Sequence, residues 1–575
     1  MPHVRARALL SFLLLVLAAC DTDPPMADAA VDASSPDAGP EQYVLDVQWE
    51  TCPLFTEGID ERAECAEFEV PLHWSDREGE RIVLFLKRYR GEPGGGQAWF
   101  LTGGPGQAAS DLEPLVDQLI GRDPTRSYYL LDHRGVGRST RLRCEGSEGI
   151  ESPNSIGLGE GEIAACLEEV RAAWTDDQLA GFSTVNAAHD LGQLIGLLRV
   201  DDETVSLWGG SYGTLWLERY LGLYPEQPDA AVFSALALDV DLLSVDRYVD
   251  DVTRRWLDAC DADAECGERF QATFSRRARE VVSEVFSGPD AALCPEIAAL
   301  DLDVDILKPF FGQIFGDLQG RSFYAPMVYR IARCEPRDVA AMENIIMALS
   351  PPPGPPQIPL GVRQWGFVLS ENIAVSELTS DLDAATIEAD YANAIAVQGP
   401  TPRLIESRAL WPRYDAPPFS TSDYQGAVLM LHGEYDFLPE AAYQRLVDHY
   451  LDTNPNADFV LIPGGPHSLE SPTTDGQQCG LELILSRLYD PSAPVSDCTS
   501  RVEPLRFAPP PALSTALFGT DDPWDGVPGG MGGGADASGP SPVFVTRVRT
   551  RASSVHVLGG VSPLGPAPRL PTLRR

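Results

Sequence analysis

Short apolar runs that end in glycine-containing turns recur along this chain and predict strands. They are Gln97-Ala98-Trp99-Phe100-Leu101, Ser127-Tyr128-Tyr129-Leu130-Leu131, Thr204-Val205-Ser206-Leu207-Trp208, Gly426-Ala427-Val428-Leu429-Met430-Leu431-His432 and Asp458-Phe459-Val460-Leu461-Ile462. Before the third run, Leu191, Leu194, Ile195 and Leu198 fall at helical spacing and form a face that can pack on a sheet. Residues 441–449 read as another amphipathic helix. The strand patterning occupies residues 43–243 and returns over 421–508. Between them, residues 244–420 pattern as helices, interrupted by Pro351-Pro352-Pro353-Gly354-Pro355-Pro356.

The third run empties into Gly209-Gly210-Ser211-Tyr212-Gly213, the one G-x-S-x-G in the chain. A strand, this turn and a following helical pattern are what a nucleophile elbow needs. The turn has no room for side chains two residues either side of the serine, hence glycine at both positions. Ser211 is the expected nucleophile. The Tyr212 N–H, at the start of the helix, is free to meet a developing oxyanion.

A serine needs a base, and the base an orienting acid, in the chain order Ser, Asp/Glu, His. Beyond Ser211 stand His449, His467 and His556. His449 lies in the amphipathic helix and His556 in a low-complexity tail. His467 closes the fifth run's glycine loop, Pro463-Gly464-Gly465-Pro466-His467, where the base belongs. The turn after the fourth run, Gly433-Glu434-Tyr435-Asp436, supplies the acid: Asp436, with Glu434 in reserve.

A second oxyanion donor is expected from the loop Thr102-Gly103-Gly104-Pro105-Gly106-Gln107, whose glycines let amides approach a substrate carbonyl. One strand later comes Asp132-His133-Arg134-Gly135-Val136-Gly137-Arg138-Ser139. Taken together, these blocks resemble the α/β-hydrolase peptidases of the proline iminopeptidase and tripeptidyl aminopeptidase type. The segment from Cys65 to Trp74 is similar to the secreted bacterial branch. The resemblance covers about residues 50–500. It implies an α/β-hydrolase fold, with a mostly parallel sheet, flanking helices and a large helical lid inserted after the sixth strand. It implies a Ser211–Asp436–His467 triad and oxyanion amides at Gly103, Gly104 and Tyr212.

In related aminopeptidases, lid carboxylates hold the substrate's α-amino group. Ile373-Ala374-Val375-Ser376-Glu377 resembles that family's I-x-C-S-E segment, with Val375 in place of cysteine, which makes Glu377 the expected amine anchor and Glu371 its reserve. Other departures are Thr102, where His or Pro is usual, and Ser234-Ala235-Leu236-Ala237-Leu238-Asp239, where Leu-Asp-Gly is usual.

The chain begins with Arg5 and Arg7 before an apolar run over residues 8–17, too short for a bilayer-spanning helix and read as a secretory signal. Leu17-Ala18-Ala19-Cys20 resembles a bacterial lipobox, so cleavage before Cys20 and lipidation of its thiol are expected. Residues 21–42 carry six acids and no base and read as an unfolded tether, about 25 Å in mean extent. Ten cysteines remain, an even number suited to an oxidising compartment. Neighbour pairings are expected: Cys52 with Cys65, Cys144 with Cys166, Cys260 with Cys266, Cys294 with Cys334, Cys479 with Cys498. None shows the paired spacing of a zinc site, and no metal or cofactor is expected. Acidic residues outnumber basic ones 85 to 43, which argues against nucleic-acid binding. Residues 509–575, rich in proline and glycine, read as a disordered tail.

These features point to a lipid-anchored, monomeric exopeptidase outside the cytoplasm that removes residues or short peptides from a free N-terminus. An esterase or other small-acyl hydrolase with the same triad is the second reading, since one fold serves many substrates. A non-catalytic binding protein on the same scaffold is the third.

Overall fold

A computed structural model describes residues 43–148, 157–159, 161–282, 293–298, 304–316, 318–349, 364–398, 401–470 and 479–528 of the 575. The signal and tether, Cys20, the break at residues 351–356, His556 and the tail beyond residue 528 therefore lie outside the described residues. No helix among those described is long and apolar enough to cross a membrane.

Nine strands form one sheet: β1 Glu50–Cys52, β2 Ala63–Pro71, β3 Arg81–Tyr89, β4 Gln97–Leu101, β5 Ser127–Leu131, β6 Val205–Gly210, β7 Ala230–Ser234, β8 Ala427–Gly433 and β9 Ala457–Ile462. Their order is β1-β2-β3-β5-β4-β6-β7-β8-β9. The pairs β1–β2, β2–β3 and β3–β5 are antiparallel, and the remaining pairs are parallel. Every residue of β4, β6, β7 and β8 is buried. That is why these strands are continuous apolar runs: helices cover both faces of a parallel sheet. By contrast, β2 keeps exposed glutamates among buried residues.

Chain direction across the sheet reverses between β4 and β6, since β4 leads to β5 on one side and β6 to β7 on the other. Such a switch point opens a crevice beyond the carboxyl ends of the two strands. Leu101 pairs with Gly209 there, which sets the loop after β4 beside the turn after β6. The helix Thr184–Leu198 buries Leu191, Leu194 and Ile195 against this part of the molecule.

The helical insertion joins β7 to β8. By count it follows the seventh strand, because the short β1 precedes the eight longer ones; among those eight it follows the sixth. Its helices have an apolar core of their own around Trp256, Phe274, Phe315 and Tyr324. All five cysteine pairs expected from sequence are joined.

The expected tail boundary is corrected. Residues 509–528 fold, with a helix Pro511–Phe518, and Leu517, Phe518 and Trp524 enter the insertion's apolar core. Arg330 donates to the carbonyls of Asp522, Pro523 and Gly526, while Arg269 and Arg333 pair with Asp525. Apolar burial and these charge-assisted bonds overcome the chain entropy that a Pro-rich composition alone suggests would win.

Candidate active site

Ser211 sits between β6 and the helix Tyr212–Leu223 with φ 54° and ψ −125°, a conformation that side-chain-bearing residues avoid. The surroundings impose it. A Cβ at Gly209 would stand 2.4 Å from the Gly213 carbonyl oxygen, and one at Gly213 2.4 Å from that of Leu101. Ser211 N–H donates to Ser234 O at 2.9 Å, tying the turn to β7. The Thr214 hydroxyl and N–H both donate to Ser211 O.

Asp436, fully buried, follows β8 in a tight turn closed by its own N–H to Gly433 O. His467 follows β9, and its Nδ1 lies 2.8 Å from Asp436 Oδ1 and 2.9 Å from Oδ2. Burial pushes the Asp436 carboxyl up, but the adjacent His467 charge and hydrogen bond and the Leu438 N–H outweigh it, holding it below the usual carboxylate range. Burial pulls the His467 imidazole down. The Asp436 charge and hydrogen bond, and then the Glu470 charge, reverse this and hold it above its ordinary value. The reserve acid, Glu434, is not at the imidazole; it accepts the Gly464 N–H at 2.8 Å. His449 is on the helix Gln444–Thr453 with Nε2 at Ser422 O.

Ser211, Tyr212, Gly103, Gly104 and His467 line one pocket of about 1130 Å³, counting space open to solvent. Its apolar lining includes Leu112, Val240, Leu242, Leu378, Leu404 and Phe437. Tyr212, first in its helix, has an N–H without an intrahelical acceptor. The loop after β4 abuts the serine, since a Cβ at Gly103 would lie 3.1 Å from Ser211 Cβ. Here one expectation is corrected. The Gly103 N–H is not available to a substrate, because it donates to Gln107 Oε1 at 3.1 Å. Gly104 and Tyr212, which also line the pocket, remain as candidates for the two oxyanion amides.

The amine anchors are also corrected. Glu377 does not line the pocket. Its Oε1 accepts the Thr184 N–H at 2.9 Å and the Tyr414 hydroxyl at 2.6 Å, behind the elbow, where Thr184 Oγ1 also meets the Tyr212 hydroxyl. Glu371 is fully buried in an ion pair with Arg403, 2.7 Å apart. The carboxylate that does line the pocket, alone among the described residues, is Glu470. Burial pushes it above the ordinary glutamate range. It stands three residues past His467, within the same loop, and that adjacency to the base was the available signal for it. Gln107 carries no sequence signal beyond its place in the glycine loop.

The alpha/beta hydrolase fold family matches residues 100–266. No curated protein sequence matches the chain at a significant level. Among solved structures the chain is similar to the proline iminopeptidase of Mycobacterium smegmatis, at 12% identity, covering 74% of this chain and 98% of that one, with a TM-score of 0.30. It is similar to an epoxide hydrolase from an endophytic Streptomyces, at 16% identity, 75% and 97% coverage and a TM-score of 0.30. It is similar also to a bromoperoxidase from Bacillus anthracis, at 14% identity, 73% and 98% coverage and a TM-score of 0.28. The chain has the α/β-hydrolase fold, and any choice of substrate rests on the pocket.

Proposed function

We propose that this chain of α/β-hydrolase fold is a serine hydrolase that works as an exopeptidase on substrates with a free N-terminus. The observation that carries the reading is one pocket holding Ser211, His467 with Asp436 behind it, and a single carboxylate, Glu470. In this reading Ser211 Oγ attacks the scissile carbonyl as His467 Nε2 takes its proton. The Gly104 and Tyr212 amides meet the oxyanion. His467 returns the proton to the leaving amine, and water then releases the acyl group by the same route. Glu470, with no Arg or Lys partner among the described residues, is the group an α-ammonium would meet, while the one cation lining the pocket, Arg403, is paired with Glu371.

The test compares peptide amides with free and acetylated N-termini, alongside short p-nitrophenyl esters. Losing one partner of a desolvated charge pair costs about 2–5 kcal/mol. Glu470→Gln should therefore depress kcat/KM on free peptides by roughly 30-fold or more, beyond any change shared by the acetylated peptide. Equal turnover of free and acetylated peptides excludes the amine anchor. The apolar lining, with Glu371 and Glu377 both committed elsewhere, favours the second reading in that event: a small-acyl hydrolase with the same triad. The wider proposal is that the enzyme is exported and held to a membrane through lipidated Cys20, a position supported by the signal-like start and by five disulfides of the kind oxidising compartments permit.

A further inference from the structure

We propose that Gln107 is a positioning residue that aims the Gly104 oxyanion amide, and that Trp365 of the lid, acting through Asp111, sets the orientation of its carboxamide. The inference rests on the reading of Ser211 as nucleophile and adds to it a link between lid and oxyanion loop.

Gln107 grips Gly103 at both ends. Its backbone N–H reaches Gly103 O at 3.4 Å, and its Oε1 accepts the Gly103 N–H at 3.1 Å. Thr102 Oγ1 donates to Gln107 O at 2.9 Å, closing the loop on itself. In a trans peptide the C=O and N–H point in opposite directions. Tying Gly103 O to Gln107 therefore turns the next N–H, that of Gly104, away from Gln107. With Gly103 against Ser211 and Gly104 in the pocket lining, that direction is assigned to the serine's side.

A carboxamide can sit either way round, and here one way fails. With its ends exchanged, Nε2 would confront the Gly103 N–H, donor against donor. The correct orientation is selected at the far end, where Nε2 donates to Asp111 Oδ2 at 3.2 Å. The same Oδ2 accepts the indole N–H of Trp365, which is 5% exposed. Around Trp365 the lid docks on the loops of the site: Gly366 N–H donates to Gly106 O at 2.8 Å, and Gly137 N–H to Gln364 O at 2.9 Å. A lid held in this place presents its indole to Asp111. A lid displaced from it leaves Asp111 with one donor fewer and a freer carboxamide. The part played by Asp111 needs an acceptor at Oδ2 and does not need a charge.

A fluorophosphonate probe tests this without knowledge of the substrate. Ser211 Oγ attacks phosphorus, the P–F bond breaks, fluoride leaves and His467 takes the serine proton. The phosphoryl oxygen gathers charge where the carbonyl oxygen would. Gln107→Met should slow labelling by about 10²-fold, the scale of a misplaced or lost oxyanion donor, with the probe's KI unchanged. Trp365→Phe and Asp111→Leu should slow it by roughly 10-fold, and Asp111→Asn, which keeps an acceptor, should restore it. Adding Trp365→Phe to Gln107→Met should slow it no further, as for two members of one chain of contacts. Labelling of Gln107→Met at the wild-type rate overturns the proposal, as does Asp111→Asn behaving like Asp111→Leu. If Gln107→Met does not fold, Trp365→Phe decides: a wild-type rate overturns the link. Failure of the unaltered protein to label at Ser211 would overturn the reading beneath it instead.

Discussion

Replacing Asp436 with Asn should lower kcat by about 10³–10⁴ while leaving the fold intact. The carboxylate faces His467 Nδ1 with both oxygens and so fixes the tautomer in which Nε2 is bare and can take a proton. Asp436 Oδ1 also accepts the Leu438 N–H at 2.9 Å. In the Asn variant that N–H claims the one remaining oxygen for the Oδ1 position, turning the amide NH₂ toward Nδ1. Nδ1 keeps the oxygen at the Oδ1 position, 2.8 Å away, but meets a donor at the Oδ2 position, so the tautomer with Nε2 bare is no longer the one this residue selects. The imidazolium formed during attack also loses its counter-charge. Unit charges about 4 Å apart, at an effective dielectric constant of about 20, attract by roughly 4 kcal/mol, or about 10³ in rate. The two losses overlap and do not simply add. Steady-state kcat on whichever p-nitrophenyl ester or peptide amide turns over fastest is the assay, with circular dichroism to confirm folding. The Glu434→Gln control should change kcat by less than about twofold, as surface substitutions do. Asp436→Asn activity within about tenfold of wild type would refute the reasoning, and a large loss in the control would move the acid to Glu434.

Ser211→Ala should lower kcat by roughly 10⁴–10⁶ without altering the melting temperature much, because the triad acts as a unit; unchanged turnover ends the serine-hydrolase reading. The rate should rise with pH along a limb set by His467, at a pKa above the ordinary imidazole value, since the base works only when neutral. Glu470→Gln removes a charge that raises that pKa, so the limb should move to lower pH in a kcat/KM profile; a shift to higher pH contradicts the placement of Glu470. Trp524→Ala should loosen the lid by about 3–5 kcal/mol, seen as faster proteolytic nicking within residues 245–410 and no change there would mean the C-terminal segment is dispensable. Cys20→Ser should leave the membrane fraction, and its retention there would remove the anchor.

The parts of this molecule visible from sequence are those fixed by local pattern. Buried parallel strands must be apolar on both faces, so β4, β6 and β8 stood out, and the chain order of Ser211, Asp436 and His467 followed from their positions after strands. What sequence did not show depends on partners far along the chain. Glu377 is committed to Thr184 and Tyr414, and Glu371 to Arg403, and no local pattern distinguishes a carboxylate so engaged from one open to a substrate. Gln107 matters because of Asp111 and a tryptophan 258 positions later. The helix Pro511–Phe518 was hidden by its Pro-rich surroundings, since its stability comes from a lid core it joins only after folding.

That last helix changes what counts as the lid. The chain enters the insertion from β7, leaves it for β8, completes the sheet with β9, and then returns to bury Phe507, Phe518 and Trp524 among lid side chains. The lid is therefore a discontinuous unit stitched from two stretches of sequence. A graft that exchanges residues 244–420 alone would leave Asp525 without its arginines and three aromatic rings without a home. Transplanting substrate preference between relatives of this protein calls for moving residues 507–528 together with the insertion.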